Sequence, residues 1–267
     1  VSSPHPCSLT FIGTATTLLR FGPLTLLTDP NFLHRGQYAY LGKGLVSRRL
    51  TEPALDITQL PPLDAVVLSH MHGDHWDRVA TRGLDRSLRV VTTKQAARAL
   101  GRRRFANSEG LDTWQRTELE KDGHRLTITA MPAEHARGFV RNLLPPVMGS
   151  MLEYRPADGD VAQRVYLTGD TLLVADLREI PRRYPAVDTA ALHLGGTTLP
   201  GGLMVTMDGK EGADLVEIVH PSTAIPIHYD DYGVFKSPLS DFLAEVERRG
   251  LHGVVRAVRR GETTSLT

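Results

Sequence analysis

The sequence contains a single cysteine, Cys7, among 267 residues. One thiol excludes an intrachain disulfide and a cysteine-based zinc cluster, and it fits a reducing compartment, so a cytoplasmic location is expected. Net charge is nearly absent as well. With 31 basic against 30 acidic residues the balance is +1, so no global field exists to recruit nucleic acid or an anionic membrane, and neither is expected as a partner. No run of 18 apolar residues occurs, which leaves no candidate for an integral membrane helix. Low-complexity tracts and repeats of fixed period are missing too. The basic residues that do cluster, Arg102-Arg103-Arg104, Arg182-Arg183, Arg248-Arg249 and Arg259-Arg260, read as solvated faces rather than as a phosphate track. The chain starts at Val1 without a methionine, which leaves room for a trimmed upstream segment, a signal peptide included.

What is present is an ordinary globular composition, 41% apolar and 23% charged, long enough for one large α/β domain or two small ones. Short strands open the chain at Leu9 to Ile12, Thr16 to Phe21 and Leu24 to Leu27, with Gly22-Pro23 as hairpin punctuation. They end in Thr28-Asp29-Pro30. Asp29 reads either as a turn aspartate or as a carboxylate that holds the free ring nitrogen of a metal-bound histidine. Residues 31 to 62 lack a period but carry Phe32, His34, Tyr38, Tyr40, Leu41 and Leu45; they read as a wall or lid over a site, or as packing outside the sheet.

The densest chemistry follows the apolar run Ala65-Val66-Val67-Leu68, in Ser69-His70-Met71-His72-Gly73-Asp74-His75. His70 and His72, two apart on an extended exit from a strand, point to the same side and can reach one cation, while Asp74 and His75 can address a second. Imidazole nitrogen with carboxylate oxygen suits zinc, with manganese or iron also admissible. Downstream the reading is α/β: a strand Leu88 to Val91, a helix Lys94 to Leu100, a strand Leu126 to Met131 leading to His135, and strands Met151 to Tyr154 and Arg164 to Leu167 leading to Asp170. Asp170 also reads as the N-cap of a helix Leu172 to Ile180. A strand Val187 to Leu194 carries His193, a helix spans Gly209 to His220, a strand Ala224 to Ile227 delivers His228, a helix covers Leu239 to Arg249, and Val254 to Val258 closes the chain as a strand. His220 reads as a helix C-terminal cap.

His70, His72, Asp74, His75, His135, Asp170 and His228 thus all follow strands, and ligand sites in α/β folds favour that rim. The simplest partition gives His70, His72 and His135 to one divalent ion, Asp74, His75 and His228 to another, and sets Asp170 between them.

The order His70-x-His72-x-Asp74-His75, His135, Asp170, His228 resembles the metallo-β-lactamase-fold hydrolases. Phe11-Ile12-Gly13-Thr14-Ala15-Thr16, Leu27-Thr28-Asp29-Pro30, Leu60-Pro61-Pro62-Leu63-Asp64-Ala65-Val66, Leu167-Thr168-Gly169-Asp170-Thr171 and Ile225-Pro226-Ile227-His228-Tyr229 are most similar to the N-acyl-phosphatidylethanolamine phospholipase D-like and ascorbate-6-phosphate lactonase-like branch. The resemblance implies an αββα sandwich as one α/β domain over residues 1–267. Thr14 stands where that family has histidine, and Thr206-Met207 where the phospholipase-like enzymes carry a Gln-His pair.

The expected activity is dinuclear zinc-dependent hydrolysis, in which a metal-bridging hydroxide attacks a phosphodiester or phosphate ester of a small molecule. Arg137 and Arg141 are placed to hold a phosphate. Asp74 would orient or deprotonate the water, and His193 would protonate the leaving group or hold the oxyanion, unless it is simply packed. A lactonase or other carboxylic-ester hydrolase using the same centre is the alternative, suited by the apolar stretch 138 to 148. A non-hydrolytic metal-binding protein is a third reading.

Overall fold

Apolar residues alternate along the first strand, and the alternation decides which layer each side chain joins. In the computed structural model, which describes residues 7–42, 44–136, 138 and 144–266, Leu9 and Phe11 of strand Ser8–Gly13 enter one core while Ile12 enters another. The same split recurs in Ala65–Val67, whose Ala65 and Val67 face inward and whose Val66 faces out. A sheet with two apolar faces must be covered on both.

Two mixed sheets meet that requirement. The first has seven strands in the order Thr263–Ser265, Ser8–Gly13, Thr16–Phe21, Leu24–Thr28, Ala65–Val67, Arg89–Thr93, Ser108–Leu111, antiparallel up to Leu24–Thr28 and parallel beyond it. The second has six, in the order Thr223–Ile227, Thr189–His193, Gln163–Leu167, Gly149–Arg155, His124–Met131, Arg116–Lys121, of which the first three run parallel. Their inner faces share one core that includes Leu9, Phe21, Leu26, Ile128, Leu152 and Ile225.

Helices α1 (Arg78–Gly83) and α2 (Lys94–Arg102) cover the outside of the first sheet, where Ala80, Ala96 and Leu100 join Val66 and Val90. Helices α3 (Ile180–Arg183), α4 (Gly209–Val219) and α5 (Leu239–Arg249) cover the second, with Leu215, Val216, Phe242 and Val246 packed on Tyr166, Ala190 and Leu192. Asp208 caps α4 by accepting from the Glu211 N–H at 2.8 Å, and His220 ends it in the left-handed conformation at φ 51°, the C-terminal position expected of it. The layers are those of the αββα sandwich. Among the described residues no helix is long and apolar enough to cross a membrane.

The structure corrects several local expectations. Leu172 to Ile180 is not one helix: Ala175–Glu179 is a 3-10 turn that runs into the four-residue α3, with Pro181 in its first turn, so Asp170 caps no helix. Val254 to Val258 is not a strand and makes only a single bridge, Val255 with Ala224, while the closing strand is Thr263–Ser265. Within residues 31 to 62 lies a hairpin, Tyr38–Gly42 paired with Leu45–Arg48. Its alternation is inverted in type, with Tyr38 and Tyr40 both 58% exposed and the small Ala39 buried, so it does not read as a half-buried strand. The polar strands Ser108–Leu111 and Arg116–Lys121, unforeseen as well, are each the edge of a sheet, where a strand needs little apolar surface.

Candidate metal centre

The chain leaves strand Ala65–Val67 at a rim shared with the parallel strands beside it. Leu68 still pairs with Val91, but Ser69 turns away, its N–H and hydroxyl both donating to Asp29 Oδ1, at 2.7 and 3.0 Å. Asp29 holds a left-handed backbone at φ 35° to reach them. The next residues wind into a turn in which the N–H groups of His75 and Trp76 donate to the His72 carbonyl, at 3.0 and 2.8 Å. Asp77 then caps α1, accepting from Ala80 N at 2.7 Å. From the second sheet, His135 follows His124–Met131, Asp170 follows Gln163–Leu167, and His228, left-handed at φ 62°, follows Thr223–Ile227.

These segments bring the seven residues into two adjoining groups. His70, His72 and His135 form one, and Asp74, His75, Asp170 and His228 the other; within each, potential ligand atoms all lie within 4.8 Å of one another. In the first, His70 Nε2 is 2.9 Å from His72 Nδ1. In the second, His75 Nε2 lies 3.3 Å from Asp170 Oδ2 and 3.9 Å from Asp74 Oδ2, and His228 Nε2 lies 3.5 Å from Asp74 Oδ2.

Each anchored imidazole is held by the nitrogen it does not present. His135 Nδ1 donates to the Val205 carbonyl at 3.0 Å and His228 Nδ1 to the Leu194 carbonyl at 3.1 Å, while His75 Nδ1 faces Asp29 Oδ2 at 3.2 Å. Five buried atoms of these seven residues then have no hydrogen-bond partner among the described residues: Asp74 Oδ1, His75 Nε2, His135 Nε2, Asp170 Oδ1 and His228 Nε2. An unpaired buried polar atom costs about 1–3 kcal/mol, and five converging at one place would be ruinous without an occupant. Divalent cations satisfy such a donor set, and its oxygen and nitrogen atoms fit zinc, manganese or iron.

Electrostatics divide the two groups. Burial, reinforced by the neighbouring imidazoles, pushes His70 well below the ordinary histidine range and His72 down to about 4. Burial also lowers His135, against the pull of Asp170. Those three rings are neutral and ready to ligate. For His75 burial acts the same way, but Asp170, Asp29 and Asp74 outweigh it and raise the ring well above its usual value. His228 is raised against burial too, by Asp170 and Asp74. The carboxylates answer in kind: burial opposes their ionisation, yet the facing histidines hold Asp74 low, Asp170 lower still and Asp29 at about 2.

His193 sits behind this centre. Its backbone N–H donates to Thr168 Oγ1 at 2.8 Å; its Nε2 faces the ionised Asp29, which can only accept, so Nδ1 is left to accept from the Thr168 hydroxyl at 3.1 Å. The proton is then on Nε2, 3.3 Å from Asp29 Oδ2. Both ring nitrogens are engaged and the residue is buried.

Three residues to which the sequence assigned no role at the centre also support it. Thr206 Oγ1 donates to Asp170 Oδ2 at 3.0 Å, Ser69 ties Asp29 to the histidine turn, and Asn31 Nδ2 donates to the Gly73 carbonyl at 2.9 Å. Arg137 and Arg141 lie outside the described residues. The centre opens into a cleft of about 940 Å³ lined by His72, Asp74, His135 and Asp170, by Leu41 and Leu45 of the hairpin, and by residues of α2 and of the 197–205 segment.

Fold and donor set together define a metal-dependent hydrolase of the metallo-β-lactamase superfamily, and comparison with known proteins agrees. A family model for the beta-lactamase superfamily domain matches residues 25–229. The chain belongs to that superfamily and, within it, to the UPF0173 metal-dependent hydrolases: a member from Deinococcus radiodurans is 30% identical over 203 residues, 76% of this chain and 80% of the relative. Two solved structures share the fold. An isothiocyanate hydrolase from Delia radicum gut bacteria superposes with a TM-score of 0.82 at 19% identity, over 97% of this chain and 98% of its own. A possible metal-dependent hydrolase from Veillonella parvula gives 0.80 at 21% identity, over 97% and 99%.

Proposed function

We propose that this chain hydrolyses a small phosphodiester or phosphate ester with two divalent metal ions, most suitably zinc. His70, His72 and His135 hold one ion, Asp74, His75 and His228 the other, and Asp170 lies between them. The observation that carries the reading is a group of five buried ligand atoms without hydrogen-bond partners among the described residues, of which those of Asp74, His135 and Asp170 belong to residues lining an open cleft. Two such ions, when bound, bring a water's pKa toward neutrality and stabilise charge on the attacking and leaving oxygens. The protein supplies the rest. Asp74 would orient the attacking water or take its proton, Thr206 fixes the rotamer of Asp170, and the Val205 and Leu194 carbonyls keep His135 and His228 in the tautomer that offers Nε2. His193 acts here as a positioning residue through Asp29 rather than as a proton donor, because neither of its nitrogens is free. The likeness of the Leu167–Thr171 and Ile225–Tyr229 motifs to the phospholipase D-like and lactonase-like branch supports ester substrates.

A second reading, lactone or carboxylic-ester hydrolysis, is favoured by the apolar flanks of the cleft at Leu41, Leu45, Leu144, Leu199 and Leu203. Two measurements test these readings. Protein purified without chelator is expected to carry close to two divalent ions per chain, and a value near zero overturns the proposal. Turnover of bis(p-nitrophenyl) phosphate beside a panel of lactones, each against His72→Ala, ranks the two ester classes. No turnover above that variant in either panel would favour a metal-binding protein without hydrolytic activity.

A further inference from the structure

The cleft has one wall that its metal chemistry does not use. Helix α2 (Lys94–Arg102) buries Ala96 and Leu100 against the first sheet, and Gln95, Arg98, Ala99 and Arg102, spaced i, i+3, i+4, i+7, form a face that lines the cleft. Arg103, its C-terminal cap, joins them. None of the three guanidinium groups has an acidic partner among the described residues, although their neighbours do: Lys94 pairs with Asp112 and Arg89 with Glu109. Arg98 and Arg102 stand at i, i+4, where like charges repel. The helix dipole accounts for cations in the last turn, Arg102 and Arg103, but not for Arg98 in the middle. Among the described residues, the remaining charged ones lining the cleft are Asp74 and Asp170, both in the proposed metal set. All three arginines are exposed whereas the metal-ligand residues are buried or nearly so, which puts the positive wall at the rim and the metals on the floor.

We infer that the substrate is an amphipathic anion: an apolar chain that lies along Leu41, Leu45, Leu199 and Leu203, and a carboxylate or phosphate at the end away from the bond being cut, held by Arg98, Arg102 and Arg103. This rests on the hydrolase reading above and adds the substrate class to it. Arginine suits either anion through paired N–H donors, and Ala99 leaves the space between Arg98 and Arg102 open to it.

The test uses the metal-loaded protein and five probes with one chain length. Octanoate, octyl phosphate and neutral octanol are titrated calorimetrically, and mono(4-nitrophenyl) suberate is compared with 4-nitrophenyl octanoate for kcat/KM. The wild type is expected to favour an anion over octanol, and the suberate over the octanoate ester, by about tenfold, since exposed ion pairs contribute about two- to threefold each. The stronger of the two anions identifies the head group. In the triple variant R98A/R102A/R103A the preference is expected to shrink to about twofold. It is expected to persist in R104N, which removes the next arginine of the run; Arg104 does not line the cleft, and asparagine tolerates its φ of 70°. Equal handling of charged and neutral probes by the wild type would overturn the inference. So would an anion preference retained in the triple variant, because it would then not depend on these three arginines. Anion binding that depends on the arginines without turnover of any ester would leave this inference standing and remove the hydrolase reading. Turnover without charge discrimination would do the reverse.

Discussion

Gly73 donates its backbone N–H to the carbonyl of Tyr40 at 2.9 Å, so the histidine turn and the hairpin over the cleft meet through backbone alone. A Cβ on Gly73 would lie 2.6 Å from that carbonyl oxygen and 2.7 Å from Tyr40 N. Neither atom can move without shifting the hairpin. Gly73→Ala is therefore expected to cost about 1–3 kcal/mol in stability and to lower kcat/KM by displacing Leu41 and Leu45 from the cleft. Urea unfolding and steady-state kinetics check the two effects; an unchanged kcat/KM would show that the hairpin's placement does not matter to the reaction.

Asp29 faces His75 and His193 with one oxygen and Ser69 with the other. Asp29→Asn keeps the shape and removes the charge that holds the His75 ring, and loss of such a partner typically weakens metal binding about 10–100-fold. Competition against a chelating dye measures it. His193→Ala should act in the same direction and lose metal and rate together. Full metal content with a reduced kcat and an altered basic limb of the pH profile would instead restore His193 as a proton donor.

Arg49 and Asp231 form a fully buried ion pair 3.2 Å apart that also engages Asn31, Thr51 and the Thr14 N–H. It joins the end of the hairpin to the segment after His228. Removing one partner strands the other charge, so Asp231→Ala is expected to cost about 3–5 kcal/mol. The pH dependence has a definite sign. Burial opposes ionisation of Asp231, but Arg49 and Arg260 hold its carboxyl below the usual carboxylate range. A lowered folded-state value contributes stability that is present above the unfolded value of about 3.9 and is lost as pH falls through the folded one. The wild type should accordingly lose its advantage over Asp231→Asn below about pH 4, as read from denaturation midpoints at pH 3 to 6. An advantage that does not narrow there would exclude the pair as its source.

Cys7 is buried, and burial with the nearby Asp188 carboxylate raises its thiol to about 11 against the Gly22 N–H. Thiolate is the reactive form. At pH 8 the native protein should react with a disulfide reagent far more slowly than the protein in denaturant, and stopped-flow absorbance gives both rates. Comparable rates would place Cys7 at the surface.

The metal-ligand candidates were legible because each follows a strand, and strand-ending residues reveal themselves by the apolar run before them. Asp29 was half legible: its position was clear, its partners His75 and His193 were not, since they lie 46 and 164 positions away in the chain. Arg102, Arg103 and Arg104 are all exposed, as a solvated face requires. Arg102-Arg103-Arg104 looks like solvated charge in one dimension, and only the placement of α2 beside the cleft separates Arg102 and Arg103 from Arg104. The hairpin Tyr38–Arg48 escaped because its large residues point outward. Thr206 and Asn31 carry no chemical signature that distinguishes them from any other polar residue before their partners are known.

The two ligand groups are each drawn from both sheets. His70 and His72 come from the first and His135 from the second; Asp74 and His75 come from the first and Asp170 and His228 from the second. On the proposed assignment each ion would be a rivet through the sandwich at its rim, since neither sheet could open without surrendering ligands of both. Because the donor set exists only while the layers are closed, metal binding would add to the folding free energy. Stripping the ions should lower the stability of the closed sandwich, whose layers would then be held by their shared apolar core.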